Sequence, residues 1–241
     1  MNYSLMAALA WLILPVILAG LVMLYAHVGA KTLKLILSFS GAFLLSMTVT
    51  HLLPEAFQSN SFHPGIFILF GFLLQILFEF FTEGIEHGHI HLHAKAEIPL
   101  PLAMLAGLLI HSFLEGVPLS KNLMSGERAD SSLMTGIVLH NIPIALALTG
   151  LLSGTGRGKS VFCLILFALA APAGLLFGIQ MTGFAGTQIK LFHDGALGIV
   201  IGIFLHISTT ILFESSEGHR FNLAKIGIIL LGAGLAIAGT G

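Results

Sequence analysis

The sequence predicts an all-α membrane protein whose helices cross a bilayer about eight times. Its 241 residues are 56% hydrophobic and only 9% charged, and the mean hydropathy is +0.99. Because an ordinary soluble domain carries about 25% charged residues, this composition indicates a chain whose solvent is lipid. The apolar runs are continuous rather than alternating. This favours helices over a β-barrel, since backbone polar groups in lipid must be hydrogen-bonded within the segment.

Eight apolar runs, separated by polar or charged turns, predict the spans in chain order. A span takes roughly 20 residues, so this length is filled by one transmembrane domain without a soluble one. A polar loop, 83–98, separates the third span from the fourth. The predicted spans are 5–27, 33–57, 64–82, 99–120, 132–153, 160–180, 195–214 and 222–240.

The distribution of lysine and arginine predicts the orientation, because cytoplasmic loops carry an excess of positive charge. In or beside one set of alternate loops lie Lys31, Lys34, Lys95, Arg157, Lys159, Arg220 and Lys225. The other set holds Lys121, Arg128 and Lys190. This asymmetry puts both termini outside the cytosol and loop 83–98 inside it. The compactness of the chain predicts a prokaryotic inner membrane.

Charge and cysteine content exclude several functions. With 10 basic and 11 acidic residues, the chain has no concentrated positive surface for nucleic acid. The one cysteine, Cys163, cannot form a disulfide or a thiolate metal cluster within one chain. No glycine-rich phosphate-binding motif is present, so we expect no organic cofactor and no direct use of ATP.

The fourth and fifth spans carry polar side chains at a depth where lipid makes them costly. His111 and Glu115 are four residues apart and therefore share one face of a helix. His140 lies at a similar depth in the next span, followed by Asn141 and Pro143, and Pro143 predicts a kink because it cannot donate to the Leu139 carbonyl. An unpaired Glu115 in lipid would cost several kcal/mol, so these residues predict a metal site.

Two further spans carry candidate ligands. Met47, His51 and Glu55 recur every four residues along the second span, with Met47 deepest. The seventh span holds His206 and, at its inner end, Glu214. A lone histidine such as His206 is equally well explained as an interhelical hydrogen-bonding residue. Met47 taken alone is better explained by packing than by metal ligation.

The cytoplasmic loop contains four histidines at alternate positions. Histidine-rich tracts favour metal binding, and the alternative is a polar connector whose histidines have no role. These residues are His87, His89, His91 and His93.

Two imidazoles and a carboxylate suit Zn²⁺ first, and Fe²⁺, Mn²⁺ or Cd²⁺ as further candidates. Movement of such an ion through the bilayer is the leading functional hypothesis. An intramembrane zinc-dependent hydrolase is the alternative, although the sequence has no His-Glu-Xaa-Xaa-His pair. A metal sensor would need a closed site and an output surface, which the short loops do not offer.

Three motifs in order resemble those of the ZIP (Zrt/Irt-like) family of divalent metal transporters: His51 to Ala56, His111 to Gly116, and His140 to Pro143. The resemblance spans the whole length. It implies eight helices with both termini outside, three at each end related by inverted pseudo-symmetry around the fourth and fifth. It also implies a transport site of Met47, His111, Glu115 and His140, with Ser112 and Asn141 beside the ion. The expected function is uptake of zinc, iron, manganese or cadmium into the cytosol by a homodimer.

The fifth span departs from the family pattern. Many relatives read His-Glu-Xaa-Pro-His-Glu there, whereas this chain has Asn141, Ile144 and Ala145 at the other ligand positions. A bridging carboxylate is therefore absent from this motif, and we predict one bound ion rather than two.

Overall fold

The structure is a computed structural model, and it describes residues 3–26, 28–58, 63–82, 102–124, 130–184, 188–214 and 223–239. Within these ranges the chain is almost entirely helical and contains no β-strand. The predicted all-α class is confirmed.

The described helices form eight segments in chain order. A five-residue π-helical turn, Thr48–Leu52, joins α2 to α3, and a 3₁₀ turn, Val117–Leu119, joins α5 to α6. Seven segments are long and apolar enough to cross a membrane, and the eighth, α10, is a shorter apolar helix. The chain is thus a multi-pass membrane protein. The helices are α1 Tyr3–Ala26, α2 Ala30–Met47, α3 Leu53–Gln58, α4 Pro64–Thr82, α5 Leu102–Gly116, α6 Ser120–Met124, α7 Ser131–Leu151, α8 Arg157–Phe184, α9 Ile189–Glu214 and α10 Leu223–Gly239.

Prolines accompany both changes of helical type. Pro54 cannot donate to the carbonyl of Thr50, and Pro118 cannot donate to that of Leu114, so the regular α-helical ladder is interrupted at each place. In contrast, α7 stays helical on both sides of Pro143. The sequence predicted a disturbance at Pro143 and did not predict these two.

The helices pack as two groups. The site bundle comprises α1, α5, α6, α7 and α8, and the flanking bundle comprises α2, α3, α4, α9 and α10. The four most extensive helix contacts lie within a bundle: α4 with α9, α2 with α10, α1 with α7, and α5 with α8. The bundles meet chiefly where α2 packs on α7 and α4 packs on α5.

Glycines allow backbone contact within each bundle. A Cβ atom at Gly202 of α9 would overlap the carbonyl oxygen of Ile68 in α4, and one at Gly116 of α5 would overlap that of Ala171 in α8. Such small residues let helices approach closely in lipid. Between the bundles, Gly136 of α7 meets only flexible side-chain atoms of α2, nearest the end of Met47, where a Cβ would lie 2.6 Å from its Cε atom. The closest backbone approaches at these glycines therefore lie within a bundle, whereas Gly136 meets side chains across the boundary.

The pairing of helices follows the predicted repeat. The repeat relates α1 to α8, α2 to α9, α4 to α10 and α5 to α7. Under this exchange, the α1–α7 contact corresponds to the α8–α5 contact, and the α4–α9 contact corresponds to the α10–α2 contact. The α1–α8 and α2–α9 contacts map onto themselves. Because exchanged spans in the first and last triplets are five spans apart, they cross the bilayer in opposite directions, as an inverted repeat requires.

Candidate metal centre

The central cluster is built by two helices of the site bundle. His111 and Glu115 lie one turn apart on α5, and His140 lies on α7 directly across from them. All three side chains are 0% exposed. A carboxylate at this depth therefore has no water to stabilise its charge and depends on the groups around it.

The three side chains point ligand atoms at one place. Glu115 Oε1 lies 3.1 Å from His111 Nε2 and 3.9 Å from His140 Nε2. Ligand atoms of a tetrahedral zinc ion, bound at about 2.0–2.2 Å, lie about 3.3 Å from one another. The described residues give Glu115 Oε1 no hydrogen bond despite these short distances. Two imidazole nitrogens and a carboxylate oxygen that converge in this way are the arrangement that a cation completes.

Two amide side chains orient the cluster. The Nδ2 group of Asn141 donates to Glu115 Oε2 at 3.1 Å, which leaves Oε1 facing the imidazoles. Gln75 of α4 places its Oε1 atom 3.0 Å from His111 Nδ1. If His111 donates through Nδ1, its Nε2 lone pair is directed at the cluster, as partners of metal-binding histidines commonly arrange.

Removal of the Gln75 acceptor tests this role. We expect Gln75→Leu to lower the zinc affinity of the purified protein by about 10–100-fold, the usual effect of losing an indirect partner of a metal ligand. Gln75→Glu, which keeps an acceptor oxygen, should retain more of that affinity. Equal affinity of Gln75→Leu and wild type in equilibrium zinc titrations would contradict the orienting role.

Two other predicted central residues are buried nearby. Met47 is 0% exposed and packs against Gly136, which is one turn before His140 on α7. Ser112 is 1% exposed and follows His111 on α5. Metal ligation by either residue stays a prediction.

A second cluster lies at the predicted outer end of the spans. His51, Glu55 and Asp130 offer ligand atoms that lie within 4.8 Å of one another, and all three are partly exposed. His51 Nε2 is 3.3 Å from Asp130 Oδ2. Lys121 Nζ is 2.8 Å from Glu55 Oε1. His51 and Glu55 are thus separate from the central cluster, with partners on α6 and at the start of α7.

Of the residues predicted at the inner end, only His206 has a side chain within the described part of the structure. His206 of α9 places its Nε2 atom 3.5 Å from Glu79 Oε2 of α4, and its ring meets Phe72 edge-on with centroids 5.0 Å apart. This pair is within the flanking bundle. The side chain of Glu214 and the loop histidines His87, His89, His91 and His93 lie outside the described residues.

Candidate ligands were sought in the second, fourth, fifth and seventh spans, and Glu79 in the third span was missed. Gln75 and Glu79 are four residues apart in an otherwise apolar run, and that spacing was the available signal. Lys121 was counted only as a loop charge, and Asp130, two residues before the fifth predicted span, was not singled out.

Fold and site together define a multi-pass helical membrane protein with a buried group of side chains that could hold a metal ion. No protein-family model matches the sequence. A curated relative is "Zinc transporter ZIP2" of Mus musculus, which is 30% identical over 110 residues. The match covers 44% of this chain and 35% of that relative, so the chain is similar to about a third of the mouse protein.

Proposed function

We propose that this chain is a ZIP-family transporter that carries a divalent transition metal ion, zinc first, across the membrane into the cytosol. The single observation that carries this proposal is the buried His111, Glu115 and His140 cluster, whose ligand atoms lie within 4.8 Å of one another. The partial similarity to a mouse zinc transporter supports the same function.

The position of the cluster favours transport over a structural role. His111, Glu115 and His140 all belong to the site bundle, whereas Gln75 and Met47 approach from the flanking bundle. Movement of one bundle against the other would carry the ligands along the membrane normal and change the groups contributed from the flanking side. Alternating access of this kind is the usual means by which transporters expose a site to each side in turn.

The two other clusters suggest the route. Under the predicted orientation, the His51, Glu55 and Asp130 cluster faces the outside, and the His206–Glu79 pair lies toward the cytosol. The ion would enter past the first, bind centrally and leave past the second, with the loop histidines and Glu214 as further inner ligands. One ion would bind centrally, with Met47 or water as the fourth ligand.

The central geometry does not favour the hydrolase. A metal hydrolase needs a carboxylate that is free to take a proton from the metal-bound water. Here Glu115 Oε2 is held by Asn141 and Oε1 lies between both imidazoles, which is the position of a ligand.

Loss of one imidazole tests the transport function in cells. We expect His111→Ala to lower zinc accumulation in metal-starved cells to background at unchanged membrane abundance. All three side chains are needed to replace the water bound to the ion, and the variant keeps only two. His63→Ala removes an exposed imidazole before α4 and should leave accumulation unchanged. Normal accumulation by His111→Ala would overturn the proposed function.

A further inference from the structure

The ion pairs of the outer cluster connect the two bundles. Lys121 on α6 belongs to the site bundle, and its partner Glu55 on α3 belongs to the flanking bundle. Asp130, which precedes α7, contacts His51 in the π-helical turn of the flanking bundle. Lys121 Nζ also lies 4.0 Å from Asp194 Oδ1 of α9, again across the boundary. All three contacts thus cross from one bundle to the other at the predicted outer end.

A positively charged side chain, Lys121, already contacts this cluster. The Lys121 ammonium lies 2.8 Å from Glu55 Oε1, and Glu55 is one of the three side chains whose ligand atoms come within 4.8 Å of one another. A divalent ion bound there would need that carboxylate. Lys121 and the ion would therefore compete for Glu55, and Asp194 offers the displaced ammonium a second carboxylate.

Asp130 links this cluster to the helix that carries His140. Its Oδ1 atom accepts from the backbone N–H groups of Ser132 and Leu133 at 2.9 and 3.1 Å, and so caps α7. Its Oδ2 atom faces His51. His140 lies about 15 Å further along α7, counted at 1.5 Å per residue.

We propose that His51, Glu55 and Asp130 form an outer binding site for a divalent metal ion, and that Lys121 is a tethered cation that closes this site until the ion displaces it. This inference rests on the proposed transport function and deepens it. The pairs of Lys121 with Glu55 and Asp194 hold the bundles together at the outer end. Binding of the ion breaks the Glu55 pair, so the bundles separate there only when an ion has arrived.

Chemical labelling of wild-type protein tests the displacement without any substitution at the site. Lysines are modified with an amine-reactive reagent with and without Zn²⁺, and labelling of Lys121 is measured by mass spectrometry relative to exposed Lys159. We expect Zn²⁺ to raise Lys121 labelling about threefold, and Asp130→Asn to abolish the increase. Unchanged or reduced labelling of Lys121 with Zn²⁺ would overturn the proposal.

Zinc titration tests the competition. The titrations use a Glu115→Gln background, which disables the central cluster. Here Lys121→Gln should tighten zinc binding about fivefold, the size expected when a partly exposed ion pair no longer competes. Lys121→Arg, which keeps the positive charge, should bind zinc as the background does. An equal or weaker zinc affinity of Lys121→Gln would contradict the competition. If that variant does not fold, the labelling of wild-type protein still tests whether zinc displaces Lys121.

Flux separates this inference from the function on which it rests. In the otherwise wild-type protein, Lys121→Gln should lower the KM for zinc influx several-fold. Undiminished influx by Glu115→Gln and His111→Ala would refute the transport function itself. Influx that depends on those residues, with a KM unmoved by Lys121→Gln, would refute only the outer site and its tethered cation.

Discussion

Glu115→Gln is expected to abolish zinc binding at the central cluster and to lower zinc influx more than about 100-fold, because loss of even an indirect partner of a metal typically costs 10–100-fold. The substitution removes the one negative charge among His111, Glu115 and His140 but keeps size and shape. A neutral amide can still accept from Asn141, so the helix contact survives while the attraction for a cation is lost.

Glu55→Gln is the matched control for that prediction, since it neutralises a glutamate of the outer cluster instead. Its influx should fall at low zinc concentration and recover as zinc is raised, whereas influx by Glu115→Gln should not recover. Comparable recovery of both variants at saturating zinc would show that the central carboxylate is not an essential ligand.

Gly202→Ala is expected to destabilise the fold strongly for the addition of a single methyl group. Its Cβ would overlap the Ile68 carbonyl and crowd the backbone of Phe72, so α4 and α9 must move apart. Overpacking typically costs about 1–3 kcal/mol, and backbone overlap puts this site at the upper end. We expect thermal unfolding in detergent to begin roughly 6 °C lower or more.

Gly234→Ala is the matched control, and it should not lower the stability of the fold. Gly234 lies on α10, and an added Cβ there meets nothing within 4 Å. Alanine favours a helix over glycine by roughly 0.5–1 kcal/mol, so the unfolding temperature should stay the same or rise. Similar losses in both variants would mean that the α4–α9 backbone contact does not hold the flanking bundle together.

Local patterns predicted much of this molecule. Continuous apolar runs indicated the helices, because a span needs only length and hydropathy to be recognised. The pairing of His111 with Glu115 followed from their spacing on one helix. His140 could be added because its depth matched, and the structure does bring the three together.

Contacts between distant parts of the chain were harder to predict. Gln75 and His111 are 36 residues apart, and His51 and Asp130 are 79 residues apart, so no helical period joins them. The π-helical turn at Thr48–Leu52 also lacks a clear local signal, although Pro54 follows it closely. Division into two bundles depends on which glycines face which helix, and that is a property of packing rather than of pattern.

Zinc influx distinguishes transport from binding alone. It is measured into vesicles that contain the purified chain and a trapped zinc-sensitive dye, with wild type and His140→Ala compared at equal protein density. We expect saturable influx by wild type and influx at the level of empty vesicles for His140→Ala. Stoichiometric zinc binding by wild type without influx, or equal influx by both proteins, would contradict the proposed transport function.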